Sequence, residues 1–89
     1  MLYVARVLHL PNGKLLRNRV VTVENGIVND IYCFDGELHS MLLVDDVFLS
    51  DVNSLKHIEE FKKNSHLKKG ERIYAYKLED EDGLVLLED

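Results

Sequence analysis

Two residues three positions apart, His57 and Glu60, have the types and spacing of metal ligands. The sequence predicts a helix there, and residues at this spacing lie on the same side of a helix. An imidazole and a carboxylate could bind one edge of a metal ion, but a complete site needs further ligands from the same small region. No His-Glu-x-x-His motif supplies them. We therefore predict exposed polar residues, no metal and no cofactor, and keep His57 and Glu60 as the metal candidates.

The other histidines and the single cysteine form no recognisable catalytic motif. His9 and His39 would meet only if their two strands pair. Cys33 lies in a predicted strand without a base partner, which is typical of a small hydrophobic residue that is at least half buried. There is no Gly-x-Ser-x-Gly motif and no glycine-rich phosphate loop, although the sequence leaves a Ser-His-Asp arrangement open. We predict no catalytic residue and no enzymatic activity.

Tyr74 and Tyr76 have the character of a contact surface. They alternate with Ile73 and Ala75 in a predicted strand, so the two tyrosines share one face of it. Paired tyrosines are common where proteins meet, because each ring offers apolar area and a hydroxyl group. We interpret them as an interaction surface. The alternative is that both rings pack under the predicted helix or cover the sheet.

The composition is that of one soluble, acidic domain. The 89 residues are 46% apolar and 30% charged, and the formal net charge is −5. That charge repels a phosphate backbone, so we predict no nucleic-acid partner. Cations nevertheless gather near the end of the predicted helix, where positive charge favours the helix C-terminus. They are Lys62, Lys63, Lys68, Lys69 and Arg72.

Cysteine content and apolar runs indicate the compartment. A single cysteine excludes an internal disulfide framework and suits a reducing environment. Arg6 and His9 interrupt the segment where a signal peptide would need an apolar core. No apolar run approaches the roughly 18 residues of a membrane-spanning helix. We predict a cytoplasmic protein that does not interact with membranes.

Alternating apolar residues and turn residues predict a mostly β chain. Strands over residues 1–50, with a hairpin turn at residues 25–26, precede a helix over residues 51–64 and a C-terminal hairpin over residues 71–89. About seven short strands and one helix predict a single α+β, mostly β domain. Its architecture is either a small β-sandwich or a partly open barrel.

Polar residues between the apolar runs predict where two of these elements begin and end. The pair Asp45-Asp46 is predicted to break a strand, which leaves residues 47–49 as a short edge strand. Ser50 or Asp51 is predicted to cap the helix N-terminus. Apolar residues at steps of three then define the buried face of the helix. They are Val52, Leu55, Ile58 and Phe61.

The first hairpin has an unusual apolar spacing. With regular pairing after its two-residue turn, Val21 would face Asp30 and place a carboxylate on the apolar side. A bulge at Asn29-Asp30 removes the conflict, because one extra residue turns Asp30 outward and brings Val28 and Ile31 to the same face. The spacing therefore predicts a bent strand that curls the sheet.

The segment with this hairpin resembles the opening of amidohydrolase-superfamily enzymes. Residues 5–31 read ARVLHLPNGKLLRNRVVTVENGIVNDI, similar to a strand, a turn containing glycine and the pattern V-x-V-x-[DN]-G-x-I-x-x-I. Residues 65–80, SHLKKGERIYAYKLED, resemble the C-terminal return of those enzymes. In that family both segments belong to a small β-sandwich flanking a catalytic (β/α)₈ barrel. The resemblance implies the sandwich domain without its barrel.

A third segment, LLVDDVFLSDVN at residues 42–53, resembles the lead into that barrel. On this alignment Asp51 and Asn53 stand where the family has two metal-binding histidines, so both imidazoles are missing. The resemblance favours a non-catalytic binding or assembly domain whose partner is a protein, either a second copy or another chain. The alternatives are a small metal-dependent hydrolase-like enzyme and an accessory subunit of a barrel enzyme.

Overall fold

The computed structural model of the protein describes residues 1–37 and 39–88. Within them the chain forms one short helix and a set of strands, which confirms the predicted α+β, mostly β class. The elements in chain order are β1 (Leu2–His9), β2 (Leu15–Glu24), β3 (Ile27–Cys33), β4 (Met41–Ser50), α1 (Ile58–Asn64), β5 (Tyr74–Glu79) and β6 (Gly83–Leu86).

The strands form one six-stranded sheet in the order β3-β2-β1-β4-β5-β6. β1 and β4 are parallel at its centre, and the β2–β3 hairpin lies between them in the chain. All other neighbouring strands are antiparallel. The sheet is curled: the Val28 amide in β3 donates to the Ile73 carbonyl, just before β5, at 2.8 Å. This matches the partly open barrel rather than a two-sheet sandwich.

The predicted break at Asp45-Asp46 is wrong, because β4 runs through both residues. Their carboxylates are used by side chains of β1: Asp45 lies 3.5 Å from Arg6 and Asp46 lies 2.8 Å from His9. The predicted edge strand at residues 47–49 is instead a buried part of β4 that pairs with both β1 and β5. Joining the two predicted strands lowers the strand count to six.

The predicted bulge in the first hairpin is confirmed. The two turn residues have φ of 55° and 75°, as a type I′ turn requires. Beyond the turn the pairing register shifts, and Ile31 lies opposite Val21. Asn29 is the extra residue and Asp30 is exposed. Val28 and Ile31 both pack against the core inside the curled sheet, so the bulge places these two side chains on one face.

A second irregularity crosses three strands at the row formed by Arg6, Asn18 and Asp45. These residues are missing from otherwise continuous pairings of β1 with β2 and β4, and Asn18 has a positive φ of 54°. In each of the three strands, the residues that face the core switch between odd and even numbers across this row, so the sheet bends there. They are Tyr3, Ala5 and Leu8 in β1, Leu16, Val21 and Val23 in β2, and Val44, Val47 and Leu49 in β4.

The helix packs on the outer face of the sheet and is shorter than predicted. Residues 51–57 form turns and an isolated bridge, and α1 begins only at Ile58. Ser50 is buried and bonded to Ser65, at 2.7 Å between hydroxyl oxygens, while Asp51 accepts from the His66 amide. Neither residue is therefore the helix cap. The predicted apolar stripe still packs together with Phe48, Tyr76 and Leu84: it comprises Val52, Leu55, Ile58 and Phe61.

Candidate functional site

The two metal candidates, His57 and Glu60, lie at the N-terminus of α1. One carboxylate oxygen of Glu60 accepts hydrogen bonds from the backbone amides of Lys56, at 3.1 Å, and His57, at 3.2 Å. Unpaired amides at a helix start need such an acceptor, and a glutamate in the first turn supplies it. The geometry therefore gives Glu60 a structural role, in which its carboxylate holds the chain entering the helix.

Residues 1–37 and 39–88 contain no group of three or more His, Cys, Asp or Glu side chains that could hold a metal ion. Asp51, which aligns with a metal-binding histidine of the amidohydrolases, accepts from the His66 amide at 3.0 Å. Asn53 is exposed in a turn. These positions are used for loop structure or face solvent.

Tyr74 and Tyr76 do not form an exposed pair. Tyr76 is 1% exposed and belongs to the core cluster under α1, and Tyr74 is half-buried against the same cluster. The Tyr76 hydroxyl donates to the Val52 carbonyl and accepts from the Leu55 amide at 3.4 Å. The structure therefore shows the alternative placement, with both rings packed under the helix and the segment before it.

The parallel pairing of β1 and β4 keeps His9 and His39 apart. His9 lies beside Phe48 at one end of that pair, whereas His39 precedes the other end and contacts Glu37 at 2.8 Å. The two rings therefore do not meet. His9 stacks on Phe48 with ring centroids 4.1 Å apart and an interplanar angle of 10°, and its Nε2 lies 2.8 Å from an Asp46 oxygen. Sequence reasoning missed this cluster because it depends on a non-local parallel register.

Cys33 is exposed, which corrects the expectation that it is at least half buried. It is the last residue of β3, an edge strand of the sheet, with β2 on one side. The side chain therefore contributes little to the core. Beyond the bulge Cys33 shares the parity of Ile31, so its exposure follows from its place at the end of an edge strand and not from the bulge.

The unpaired part of β4 is the most unusual surface of the sheet. β4 pairs with β1 along almost its whole length, but with β5 only over Val47–Ser50. Among the described residues, no strand lies on the β5 side of residues 41–46. Leu42 and Leu43 lie on this open edge and are 51% and 56% exposed. Successive residues of a strand point to opposite faces, so the edge is apolar on both.

An apolar row extends from this edge across the outer face of the sheet. Val4 and Val20 are buried but belong to neither core cluster, and their neighbours Tyr3 and Val21 face inward. The row follows the pairing of four strands and ends in exposed side chains on both sides. It comprises Leu43, Val4, Val20 and Tyr32. We name the open edge and this row together the β4 surface.

The chain matches no protein-family model, no curated protein and no solved structure. These comparisons neither support nor contradict the amidohydrolase resemblance. None of the helices in the described part of the chain is long and apolar enough to cross a membrane.

Proposed function

We propose that this domain is a non-catalytic assembly module that dimerises through the β4 surface. The observation that carries the proposal is the open edge of β4, where Leu42 and Leu43 are more than half exposed on consecutive residues. An unpaired edge presents backbone amides and carbonyls that can pair with another strand. Exposed leucines at such an edge add apolar contact on both faces of the joined sheet.

A second copy of this chain is the occupant that best fits the edge. Antiparallel pairing about a two-fold axis at Leu43 places Leu42 of one copy opposite Val44 of the other. The acidic pair Asp45-Asp46 then lies at opposite ends of the two paired strands. Parallel pairing in register would place the carboxylates of each copy beside those of the other, which is unfavourable. Closed two-fold symmetry is also the commonest arrangement of soluble homo-oligomers.

The exposed ends of the apolar row can add to the contact that the edge alone makes. Stable interfaces bury about 800 Å² on each partner, which is more than one short strand edge supplies. Val4 and Val20 are already buried and lie on the far side of β4 from a paired strand, so the row offers further area only at Leu43 and Tyr32. Tyr32 ends the row with an exposed aromatic ring, a residue type enriched at protein interfaces.

Sedimentation velocity at micromolar concentration tests the proposal. The unmodified chain is expected to sediment as a dimer of twice its 10.3 kDa mass. The double variant Leu42→Lys/Leu43→Lys is expected to be monomeric, because lysines on an open edge oppose strand pairing. Circular dichroism verifies that the variant retains the strand content of the unmodified chain.

A matched control is Leu15→Lys in β2, which places a lysine on an equally exposed leucine away from β4. This control is expected to remain dimeric. A monomeric unmodified chain would refute the dimer. If both variants dissociate equally, an interface at the β4 surface is excluded.

We further propose that the domain corresponds to the sandwich-forming ends of an amidohydrolase and acts in the cytoplasm. The bulged β2–β3 hairpin, which carries the matched V-x-V-x-[DN]-G-x-I-x-x-I pattern, supports the first part. The exposed thiol of Cys33 supports the second, because a reducing compartment keeps such a thiol free. A docking role on a separate barrel enzyme would use the same β4 surface and would appear as a mixed complex in place of the dimer.

A further inference from the structure

Two adjoining cavities form a groove between the β1–β2 turn and the end of α1. Their volumes are about 420 Å³ and about 440 Å³, and both fall in the size range of small-molecule sites. The two cavities have four lining residues in common, one of which is Lys62 on the α1 side, so they adjoin each other. The shared wall consists of Leu10, Pro11 and Asn12. We name this cleft the lysine groove.

One end of the groove is positively charged without a compensating acid. Lys62, Lys63 and Lys68 line it together with His66, and the residues lining both cavities include no Asp or Glu. In the described part of the chain none of these lysines forms a salt bridge. The whole chain has a net charge of −5, so this concentration of cations is local. An anion would be attracted to this end.

The other end of the groove is apolar and aromatic. Its lining includes His9, Phe48 and Phe61, together with Leu15. His9 stacks on Phe48, and Phe61 meets Phe48 edge to face with ring centroids 5.1 Å apart. Asp46 fixes the His9 ring through its contact with Nε2. Phe48 and Phe61 are themselves buried, so the half-buried His9 ring is the part of the cluster against which a further ring can pack.

Both walls of the groove are anchored. The turn is closed by backbone bonds from the Leu10 amide to the Lys14 carbonyl, at 2.9 Å, and from the Gly13 amide to the Leu10 carbonyl, at 3.0 Å. The opposite wall is tied to β4 by the buried bond between Ser65 and Ser50. A groove with fixed walls needs little ordering when it binds a ligand, which favours affinity.

We propose that the lysine groove binds a small organic anion that carries an aromatic ring. The anionic group lies among Lys62, Lys63 and Lys68, and the ring packs against the cluster of His9, Phe48 and Phe61. The expected ligand is therefore an aromatic phosphate or an aromatic carboxylate. This site lies at the opposite end of the β1–β4 pair from Leu42 and Leu43 and does not depend on dimerisation.

Chemical-shift titration of the full isotope-labelled chain tests the proposal. Phenyl phosphate is expected to shift the amide signals of Leu10, Asn12, Gly13 and residues 61–68, with an affinity at least about tenfold higher than that of phenol or of inorganic phosphate. Phenol supplies the ring without the charge, and inorganic phosphate the charge without the ring. Benzoate distinguishes a carboxylate ligand from a phosphate ligand, and tighter binding by either supports the proposal.

Matched variants separate the groove from general charge attraction. Lys62→Gln/Lys63→Gln is expected to weaken phenyl phosphate binding about tenfold. Lys56→Gln/Lys77→Gln removes the same charge elsewhere and is expected to leave binding unchanged. The proposal is overturned if no probe gives localised shifts, if phenol binds as tightly as phenyl phosphate, or if both double variants weaken binding equally. Tighter binding of a short oligonucleotide, with shifts beyond the groove, would replace it with a nucleic-acid surface.

Discussion

The Tyr76 hydroxyl donates a hydrogen bond to the Val52 carbonyl and so ties β5 to the segment that precedes α1. The same hydroxyl accepts from the Leu55 amide at 3.4 Å. Both backbone groups lie in a non-helical stretch, where no neighbouring turn of helix can pair them. The tyrosine thus replaces the missing helical bonds of residues 52–55 and lets this stretch stay folded against the sheet.

Tyr76→Phe is expected to destabilise the domain by about 1–3 kcal/mol, because the Val52 carbonyl and the Leu55 amide lose their partner in a buried place. Urea denaturation at neutral pH measures the change in the free energy of unfolding. Tyr32→Phe is the matched control, since Tyr32 is exposed and its loss of a hydroxyl is expected to leave stability unchanged. Equal stability of the Tyr76 variant and the unmodified chain would contradict the bridging role.

The same residue predicts a loss of stability in alkali. Burial raises the pKa of Tyr76 above its ordinary value of 10.0. The unfolded chain therefore releases this proton at lower pH than the folded chain, so the contribution is complete below pH 10 and is lost as the pH rises through the folded pKa. The difference in unfolding free energy between the unmodified chain and Tyr76→Phe is expected to shrink above pH 10. A difference that stays constant or grows would contradict this.

Glu60→Ala is expected to cost about 1 kcal/mol, as the loss of other helix caps does, because the amides of Lys56 and His57 lose their acceptor. Thermal or urea denaturation measures the loss. Glu59→Ala removes the same charge from the same turn without touching those amides, so a near-neutral effect is expected. If the two variants are equally destabilised, the helix dipole rather than the hydrogen bonds accounts for the effect.

Zinc is expected to leave the ring signals of His57 unchanged in a nuclear magnetic resonance titration. The carboxylate of Glu60 already accepts two backbone amides, and the described residues bring no third ligand to this place. Sharp, selective shifts of two histidine rings at equimolar zinc would contradict this prediction and restore the metal-dependent alternative. Zinc bound to the purified protein would do the same.

The features that sequence reasoning predicted are those fixed by neighbouring residues. The bulge at Asn29 follows from turn chemistry and from the parity of apolar residues within one hairpin. The alternation of Tyr74 and Tyr76 with Ala75 likewise follows from the period of a single strand. The structure confirms both, because local patterns decide which side of a strand a residue occupies.

The features that sequence reasoning missed depend on distant partners. The adjacent acids Asp45 and Asp46 predict a strand break from sequence alone. They lie within a strand because β1 places Arg6 and His9 beside them. The predicted start of α1 at Ser50 or Asp51 is too early. The Asp51 side chain accepts from the His66 amide, fifteen positions along the chain, and does not cap a helix. The open edge of β4 exists because β5 pairs with β4 only over Val47–Ser50. No local sequence pattern predicts where that pairing stops.

Gly83→Ala is expected to destabilise the domain by about 1–3 kcal/mol through overpacking. A methyl group at Gly83 would approach the Glu79 carbonyl oxygen to 2.8 Å, and that atom belongs to the backbone of the adjoining strand. Denaturation in urea measures the loss. Glu81→Ala, in the exposed turn of the same hairpin, is expected to leave stability nearly unchanged. A neutral Gly83 variant would show that the β5–β6 hairpin can open without cost.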